Sequence, residues 1–313
     1  MNIYQYTYDI VKQIPKGHVS TYGAVAKALG DIRASRAVGR MMNQNPNPDE
    51  MPCYKIVYSD GRIGGFDLGI REKIYRLAKD NIQINNGRIV DFEHKFFDDF
   101  KTSYPLQRCR EQQVQLRNML TFQDHFDKSD ISTVAGFDVA YPKNDFQKAC
   151  IACVVIDYKT KKIIETKTHF QQTSFPYIPT YLAFRELPLI QQVYQKLEND
   201  PSVLMFDGNG ILHPFRFGLA CHAGIHLNKP SIGVAKRRLC GTQQKDNMIV
   251  FENQILGKAL YTHKQVKNPV YVSPGHHITL TTAFSIAVKT STHKHPRPVR
   301  HAHLLARETI KDP

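Results

Sequence analysis

The chain has 313 residues, and 42 lysines and arginines against 28 aspartates and glutamates give it a net charge of +14 at neutral pH. This length predicts two domains, and the charge favours a polyanionic partner, of which nucleic acid is the leading class. The start has no apolar stretch typical of a signal peptide, no run approaches the roughly 18 apolar residues of a membrane span, and the cysteines are too sparse for a disulfide framework. We therefore expect a cytoplasmic monomer that does not bind membranes.

Short helices broken by glycine and proline are predicted for the first part of the chain. An apolar helical stripe stops at Pro15, and Ser20 or Thr21 can cap a second helix that ends at Gly30. A third short helix follows after a turn. Two short helices around a turn are typical of helix-turn-helix DNA-binding modules.

Three arginines recur at spacings of three and four residues around this third helix, namely Arg33, Arg36 and Arg40. This spacing predicts that they share one face, which either contacts DNA or is simply solvated. The aperiodic, charged stretch 88–103 then predicts a connector, and a polar helix is predicted for residues 107–120.

Four motifs of the N-terminal part carry a family resemblance: IPKGHVSTYGAVAKALG, SRAVGRMMNQNP, MPCYKIVYSDGRIGGF and the spaced Lys73 and Leu77. In this order they resemble the catalytic domain of O6-alkylguanine-DNA alkyltransferases over residues 1–82. The resemblance implies a mainly α domain of winged-helix or helix-turn-helix type at 1–87. It also implies that the domain binds double-stranded DNA and moves the alkyl group of O6-alkylguanine to a cysteine, once per protein molecule.

The resemblance assigns a role to individual residues of this domain. It makes Cys53 the alkyl acceptor, Tyr22 the residue that helps rotate the target nucleotide, Arg36 the finger that fills the vacated stack, and Asn45 a support. Tyr54 stands where the family has histidine, and Asp80 where glutamate is usual. Transfer needs a thiolate, and a phenol with a pKa of about 10 accepts protons poorly at neutral pH. Lys55, a helix terminus or a water held by Tyr54 remain as ways to favour the thiolate.

The C-terminal part reads as three antiparallel strands, a helix and a further strand. Asp138 lies on the first strand, Glu186 on the helix and Asp207 at the end of the fourth strand. This order predicts an α/β domain with a central mixed sheet of ribonuclease H-like type. Converging carboxylates bind Mg²⁺, which can activate water and stabilise charge on a scissile phosphate. Period-2 alternation predicts that Cys150 and Cys153 point to opposite faces of the second strand, so neither metal nor redox chemistry is expected there.

The motifs DGNGILHP, GVAKRRLCG, SPGHHITLTTA and HPRPVRHAH resemble endonuclease V, and the resemblance covers residues 104–313. It implies that the domain nicks DNA at the second phosphodiester 3′ to deoxyinosine with Mg²⁺ or Mn²⁺. Asp138, Glu186 and Asp207 are then expected to be metal ligands or water activators. His303 is expected close to the metal, and Lys236 near the phosphate.

Further residues of this domain are assigned to DNA contact by the same resemblance. Pro176, Ile178 and Pro179 are expected to form a wedge with Tyr177, which enters the duplex. Gly208 and Leu239 are expected to line the base pocket, and His213 is expected to contact DNA as well. Thr180 stands where glycine commonly follows the wedge. The C-terminal histidines lack paired cysteines, so no zinc site is expected.

Three alternatives remain open at the level of sequence. The N-terminal domain can be a noncatalytic lesion-binding module attached to an active nuclease. The chain can be a sequence-specific regulator in which a degenerate nuclease serves for dimerisation. The nuclease can prefer inosine in RNA. The favoured interpretation is a bifunctional DNA repair protein that acts on O6-alkylguanine and on deoxyinosine.

Overall fold

The computed structural model describes residues 1–143, 145, 147–262 and 268–311. The chain forms two compact units. One consists of Met1–Arg110 with Ser174–Pro179, and the other of Glu111–Thr173 with Thr180–Pro313. Within the described ranges, no helix has the length and apolar character needed to cross a membrane.

The first unit is mainly helical, with four two-residue strands. Its elements are α1 (Ile3–Val11), β1 (Ser20–Thr21), α2 (Tyr22–Leu29), α3 (Ser35–Asn43), β2 (Ile56–Val57), α4 (Ile70–Lys79), β3 (Ile84–Asn85), β4 (Arg88–Ile89) and α5 (Phe92–Lys95), and α6 (Pro105–Arg117) follows. β1 and β2 pair in parallel, and β3 and β4 form an antiparallel hairpin.

The pair α2 and α3 is formed as the sequence predicts. The Thr21 hydroxyl accepts the N–H of Ala24 at 3.0 Å, which caps α2, and Gly30 ends the helix with a φ of 102°. That left-handed conformation costs glycine little, because it has no Cβ. The prediction that three arginines share one face was wrong for Arg33. It lies in the 3-10 turn before α3 and pairs with Asp31 at 3.3 Å, so that the arginines on α3 itself are Arg36 and Arg40.

The second unit is built on one mixed sheet of nine strands. Its elements are β5 (Thr133–Ala140), β6 (Lys148–Asp157), β7 (Ile163–Gln172), α7 (Leu182–Tyr194), β8 (Val203–Phe206), α8 (Leu219–Leu227), β9 (Ser231–Ala235), β10 (Thr242–Gln243), β11 (Met248–Phe251), β12 (Gln254–Leu260), β13 (Val270–His276), α9 (Leu280–Thr290) and α10 (Arg297–Thr309). The strand order is β10-β11-β12-β13-β9-β8-β5-β6-β7. β5, β8 and β9 are parallel neighbours, and the other pairs are antiparallel. The predicted succession of three antiparallel strands, a helix and a strand is confirmed.

Each face of the sheet is covered by its own apolar layer. Val134 and Val154 pack in one layer with residues of α9 and α10. Phe137 and Cys153 pack in the other with residues of α7 and α8. Alternation along β6 thus separates Cys153 from Cys150, as predicted, and both are buried free thiols.

A buried histidine on α8 makes the second unit sensitive to acid. His222 is 1% exposed, lies 5.2 Å from the rings of both Phe184 and Phe217, and its Nδ1 has no hydrogen-bond partner among the residues that the structure describes. Burial, with a smaller contribution from the charge of His226, lowers the pKa of His222 to about 3.

We expect His222→Phe to reduce the loss of stability in acid. The folded state keeps His222 neutral, whereas the unfolded state binds a proton below about pH 6.5. The free energy of unfolding therefore falls as pH drops from about 6.5 towards 3, by about 1.4 kcal/mol per pH unit from this residue. Urea denaturation at pH 7 and pH 5 measures the difference. An equal acid loss in the wild type and the variant would contradict the assignment.

Candidate active sites

Strand register brings two predicted carboxylates together in the second unit. Asp138 lies in β5, and Asp207 directly follows β8. The two strands are parallel, with Phe137 opposite Phe206, so the next residue of each strand lies at the same level of the sheet. The Asp207 N–H donates to the Phe137 carbonyl at 3.1 Å, which continues this pairing.

A close helix approach adds a histidine to the two aspartates. At Gly136, a Cβ atom would lie 2.2 Å from the carbonyl carbon of Pro298, so α10 packs directly on the backbone of β5. Any larger residue at this position would push the helix away. His303 is carried on α10, and its Nδ1 lies 2.5 Å from Oδ2 of Asp138.

The resulting group has the geometry of a cation site. One ligand atom each from Asp138, Asp207 and His303 lie within 4.8 Å of one another. Lys236, which directly follows β9, places its Nζ 2.5 Å from Oδ2 of Asp207. A cavity of about 260 Å³ opens at this point, and Arg300 is among the residues that line it. Carboxylate oxygens are the ligands that Mg²⁺ and Mn²⁺ prefer, so the donor set fits such an ion.

Glu186 lies beside this group rather than in it. It is buried on α7, and the Tyr141 hydroxyl donates to its Oε1 at 3.2 Å. Burial raises the pKa of Glu186 to about 8, and the charges of Asp138 and Asp207 add to the effect. The pKa of Asp207 is also raised, first by burial and then by Asp138. A carboxylate whose pKa is raised by burial and by a neighbouring carboxylate is stabilised in its charged form when a cation binds beside it.

The predicted wedge presents an aromatic ring to solvent. Tyr177 is 50% exposed, whereas its neighbours Pro176 and Ile178 are buried and Pro179 is half-buried. The next residue, Thr180, has a φ of 73°, in the left-handed region that favours glycine. A β-branched side chain is rarely found there, so Thr180 holds a backbone conformation that costs it energy.

The residues assigned to base contact differ in accessibility. Leu239 is 45% exposed. The Gly208 N–H donates to the carbonyls of Phe206 at 2.9 Å and Val234 at 3.2 Å, and the His213 ring is buried and accepts the N–H of Phe215 at 3.2 Å. The Gly208 amide can therefore line a base pocket only if its hydrogen bonds within the protein change. His213 can contact DNA only if its ring leaves its buried position.

In the first unit, the candidate acceptor cysteine is buried and accepts a hydrogen bond from a neighbouring side chain. Cys53 opens a 3-10 turn just before β2 and is 4% exposed. The Asn45 Nδ2 donates to Sγ of Cys53 at 3.1 Å and to the Met51 carbonyl at 2.8 Å. Asn45 thus contacts the sulfur directly, and its supporting role in alkyl transfer stays a prediction.

Parallel pairing of β1 with β2 places two aromatic rings side by side. Tyr22 directly follows β1 and Tyr58 directly follows β2, and their ring centroids are 5.7 Å apart. The charge of Cys53 contributes to the raised pKa of Tyr22, after burial and Tyr58, which indicates that the ring lies near the thiol. Arg36, the predicted finger, is exposed on α3.

The Tyr54 hydroxyl is a hydrogen-bond donor in this structure. Its hydroxyl donates to Oδ2 of Asp80 at 3.0 Å, and burial, together with Asp80, raises the pKa of Tyr54 to about 12. Lys55 Nζ lies 2.9 Å from the same Asp80 oxygen and also donates to the carbonyls of Ile14 and Pro15. Lys55 is therefore engaged by other groups, which weighs against it as the source of the thiolate.

Sequence reasoning missed the cations that do act on the thiol. Burial raises the pKa of Cys53, whereas the Asn45 hydrogen bond and the charges of Lys73 and Arg76 lower it. Lys73 is fully buried, donates to the carbonyl of Ile56 at 2.6 Å, and has its own pKa lowered by burial to about 8. Its spacing of four residues from the buried Leu77 was the available signal, because it places the lysine on the core face of α4.

Comparisons with known proteins agree with the two-unit fold. The family model for endonuclease V matches residues 114–304, and the model described as "6-O-methylguanine DNA methyltransferase, DNA binding domain" matches residues 2–82. A bifunctional methyltransferase/endonuclease of Picrophilus torridus is 38% identical over 97% of this chain and 95% of its own length. A protein of the same description from Thermoplasma volcanium is 38% identical over 99% of this chain and 91% of its own length.

Solved structures resemble the C-terminal part. A Ciona intestinalis endonuclease V variant in complex with a 23mer DNA containing an inosine followed by a ribo-adenosine is 30% identical, with a TM-score of 0.63 over 67% of this chain and 99% of that chain. A Bacillus subtilis endonuclease V is 34% identical, with a TM-score of 0.61 over 68% of this chain and 94% of that chain. From both sets of matches, the chain belongs to the endonuclease V family, in the bifunctional form that also carries a methyltransferase domain.

Proposed function

We propose that the protein repairs two kinds of DNA damage, with alkyl transfer assigned to residues 1–87 and strand nicking to residues 104–313. The observation that carries the nuclease is the group of Asp138, Asp207 and His303, within 4.8 Å of one another, in the part that matches endonuclease V. The nick is expected at the second phosphodiester 3′ to deoxyinosine. The strand order β7-β6-β5-β8-β9, with β6 antiparallel to its neighbours, supports a ribonuclease H-like class for this domain.

The nuclease residues divide the work by position. Asp138 and Asp207 would hold Mg²⁺ or Mn²⁺, with His303 against Asp138 and Glu186 beside them. Such an ion, when bound, would supply the Lewis-acid chemistry that activates water and stabilises charge on the phosphate. Lys236, half-exposed at the cavity, gives the phosphate a positive partner. Tyr177 enters the base stack as the lesion leaves it, where unstacking costs a few kcal/mol and least at a weakly paired base.

Nicking of a duplex with a single deoxyinosine tests the nuclease. With Mg²⁺ we expect a cut at the second phosphodiester 3′ to the lesion, and with EDTA we expect no cut. A sequencing gel shows the position. Cutting that persists in EDTA, or that is equal on the undamaged duplex, would overturn the proposal. A matched inosine RNA belongs in the same assay, because the Ciona relative was solved with a ribonucleotide after the inosine.

The alkyltransferase half is proposed to act through Cys53. Its thiol loses a proton to water, Sγ forms a bond to the alkyl carbon, the bond from that carbon to O6 breaks, and the departing guanine anion takes a proton from water. Tyr22 and the exposed Arg36 are proposed to turn the nucleotide out and fill its place, as α3 lies against the DNA together with Arg40. The helix pair and the β3–β4 hairpin support a winged-helix class.

Mass spectrometry of the Cys53 peptide after incubation with DNA carrying labelled O6-methylguanine tests this half. We expect one label per molecule. Cys53 is buried and the Tyr54 hydroxyl is a hydrogen-bond donor, so a noncatalytic lesion-binding domain is the second candidate. Absence of label together with retained lesion binding would establish it.

A further inference from the structure

Arg76 contacts the chain segment that precedes Cys53. It lies on α4, and its side chain is 19% exposed. Nη1 donates to the Pro48 carbonyl at 3.1 Å and lies 2.8 Å from Oδ1 of Asp49, while Nε donates to Oε1 of Glu72 at 2.7 Å. One guanidinium therefore joins α4 to the loop that leads into the candidate nucleophile.

The same guanidinium borders the ring that replaces the family's histidine. Its Cζ lies 6.0 Å from the ring centroid of Tyr54 and 5.9 Å from that of Phe66. These separations are at the limit of a cation–π contact, so the interaction is weak. They nevertheless show that the charge lies beside the two rings. The positive charge is next to residue 54, where an imidazole would otherwise stand.

The loop before Cys53 is consequently held from two sides. Asn45 donates to the Met51 carbonyl and to the sulfur, and Arg76 holds Pro48 and Asp49. A planar guanidinium with several donors suits this task, whereas an ammonium offers a single point of attachment.

The guanidinium of Arg76 is less exposed to solvent than either of its carboxylate partners. The side chains of its carboxylate partners Asp49 and Glu72 are 82% and 36% exposed, so solvent screens them, whereas the guanidinium is mostly covered. A charge that is less exposed to solvent is screened less in its interaction with neighbouring groups.

We propose that Arg76 is a positioning residue for Cys53, and that its fixed positive charge helps to form the thiolate where Tyr54 cannot take the proton. The inference rests on the proposed transfer of alkyl groups to Cys53. In accord with it, Arg76 lowers the pKa of both Cys53 and Tyr54, in each case against a larger effect of burial. In the sequence, Arg76 is one of several charged residues of α4, and their pattern does not indicate this role.

The test is the pH dependence of Cys53 alkylation by iodoacetamide, followed by mass spectrometry of its peptide. The variants are Arg76→Gln, which removes the charge, and Arg76→Lys, which keeps the charge without the fork. Arg71→Gln, an exposed arginine on the same helix, is the control. We expect the midpoint for Arg76→Gln to move up, so that the rate near neutral pH falls about threefold.

The conservative variant separates charge from fold. Arg76→Lys is expected to restore the midpoint to near the wild-type value, and Arg71→Gln to leave it unchanged. A midpoint for Arg76→Gln equal to that of the wild type, in a variant whose thermal unfolding shows an intact fold, would overturn the inference. A midpoint for Arg76→Lys that moves as far as that of Arg76→Gln would overturn the part of the inference that assigns thiolate formation to the charge, because lysine keeps the charge and loses only the fork.

Label transfer from O6-methylguanine DNA to the wild type distinguishes this inference from the proposed function. No transfer, combined with a shifted midpoint in Arg76→Gln, leaves the role of Arg76 in thiolate formation standing and rejects the proposed transfer. Transfer combined with an unshifted midpoint rejects the Arg76 assignment alone.

Discussion

Asp138→Asn is expected to reduce nicking of the inosine duplex by about a thousandfold or more, because metal-ion catalysis supplies several kcal/mol of transition-state stabilisation. The amide keeps the size of the side chain but removes the charge that lies against His303 and that is proposed to hold the cation. Asp207→Asn should have a comparable effect and also frees Lys236 from its ion pair. Initial rates with Mg²⁺ on one duplex measure both variants.

Two controls make this result specific. Asp130→Asn changes an exposed acid outside the site and should leave nicking unchanged. Label transfer to Cys53 should be unaffected in all three variants, because the acceptor lies in the other unit. Nicking retained in Asp138→Asn at the wild-type rate would reject the metal assignment, whatever the state of the alkyltransferase half.

Tyr54→His is expected to accelerate alkyl transfer at pH 7 by about 100-fold, which is the lower end of the range for a general base placed next to its proton. The wild-type hydroxyl already lies 3.0 Å from Asp80, so the carboxylate needed to orient an imidazole is present. The pKa of the wild-type phenol is raised to about 12, so the hydroxyl is already protonated at pH 7 and is not available to accept a proton. Single-turnover label transfer to Cys53 measures the rate.

The pH profile and a second variant test the reason for this gain. The wild-type rate should rise with pH as the thiol of Cys53 ionises, whereas the Tyr54→His rate should level off near neutral pH. Tyr54→Phe removes the hydroxyl without adding a base and should give no gain. If Tyr54→Phe matches Tyr54→His, the gain comes from loss of the hydrogen bond to Asp80 and not from a proton acceptor.

The sequence contained the elements of the nuclease site but not the way they meet. Apolar runs ending in Asp138 and Asp207 indicated two strands with carboxylates, which the structure confirms. Their common level depends on the register of Phe137 with Phe206, and the arrival of His303 depends on the close approach at Gly136. Both are contacts between residues far apart in the chain, which local patterns do not encode.

The acceptor site shows the same division between local and distant information. The α2–α3 pair followed from cap and stop residues at Thr21 and Gly30. Arg33 was misplaced because a 3-10 turn has a different period from the α-helix that follows it. The influence of Lys73 and Arg76 on Cys53 arises because α4 folds back onto the loop before the cysteine, and no spacing in the sequence measures that distance.

Thr180 has a consequence for how far the exposed Tyr177 can travel. Glycine at this position would leave the backbone several conformations of similar energy, and the tyrosine could swing widely between them. A β-branched residue held at a φ of 73° has few others to visit, and each costs energy to reach. The restricted backbone at Thr180 limits the conformations of the chain just after Tyr177, which would reduce the entropy loss of the proposed insertion.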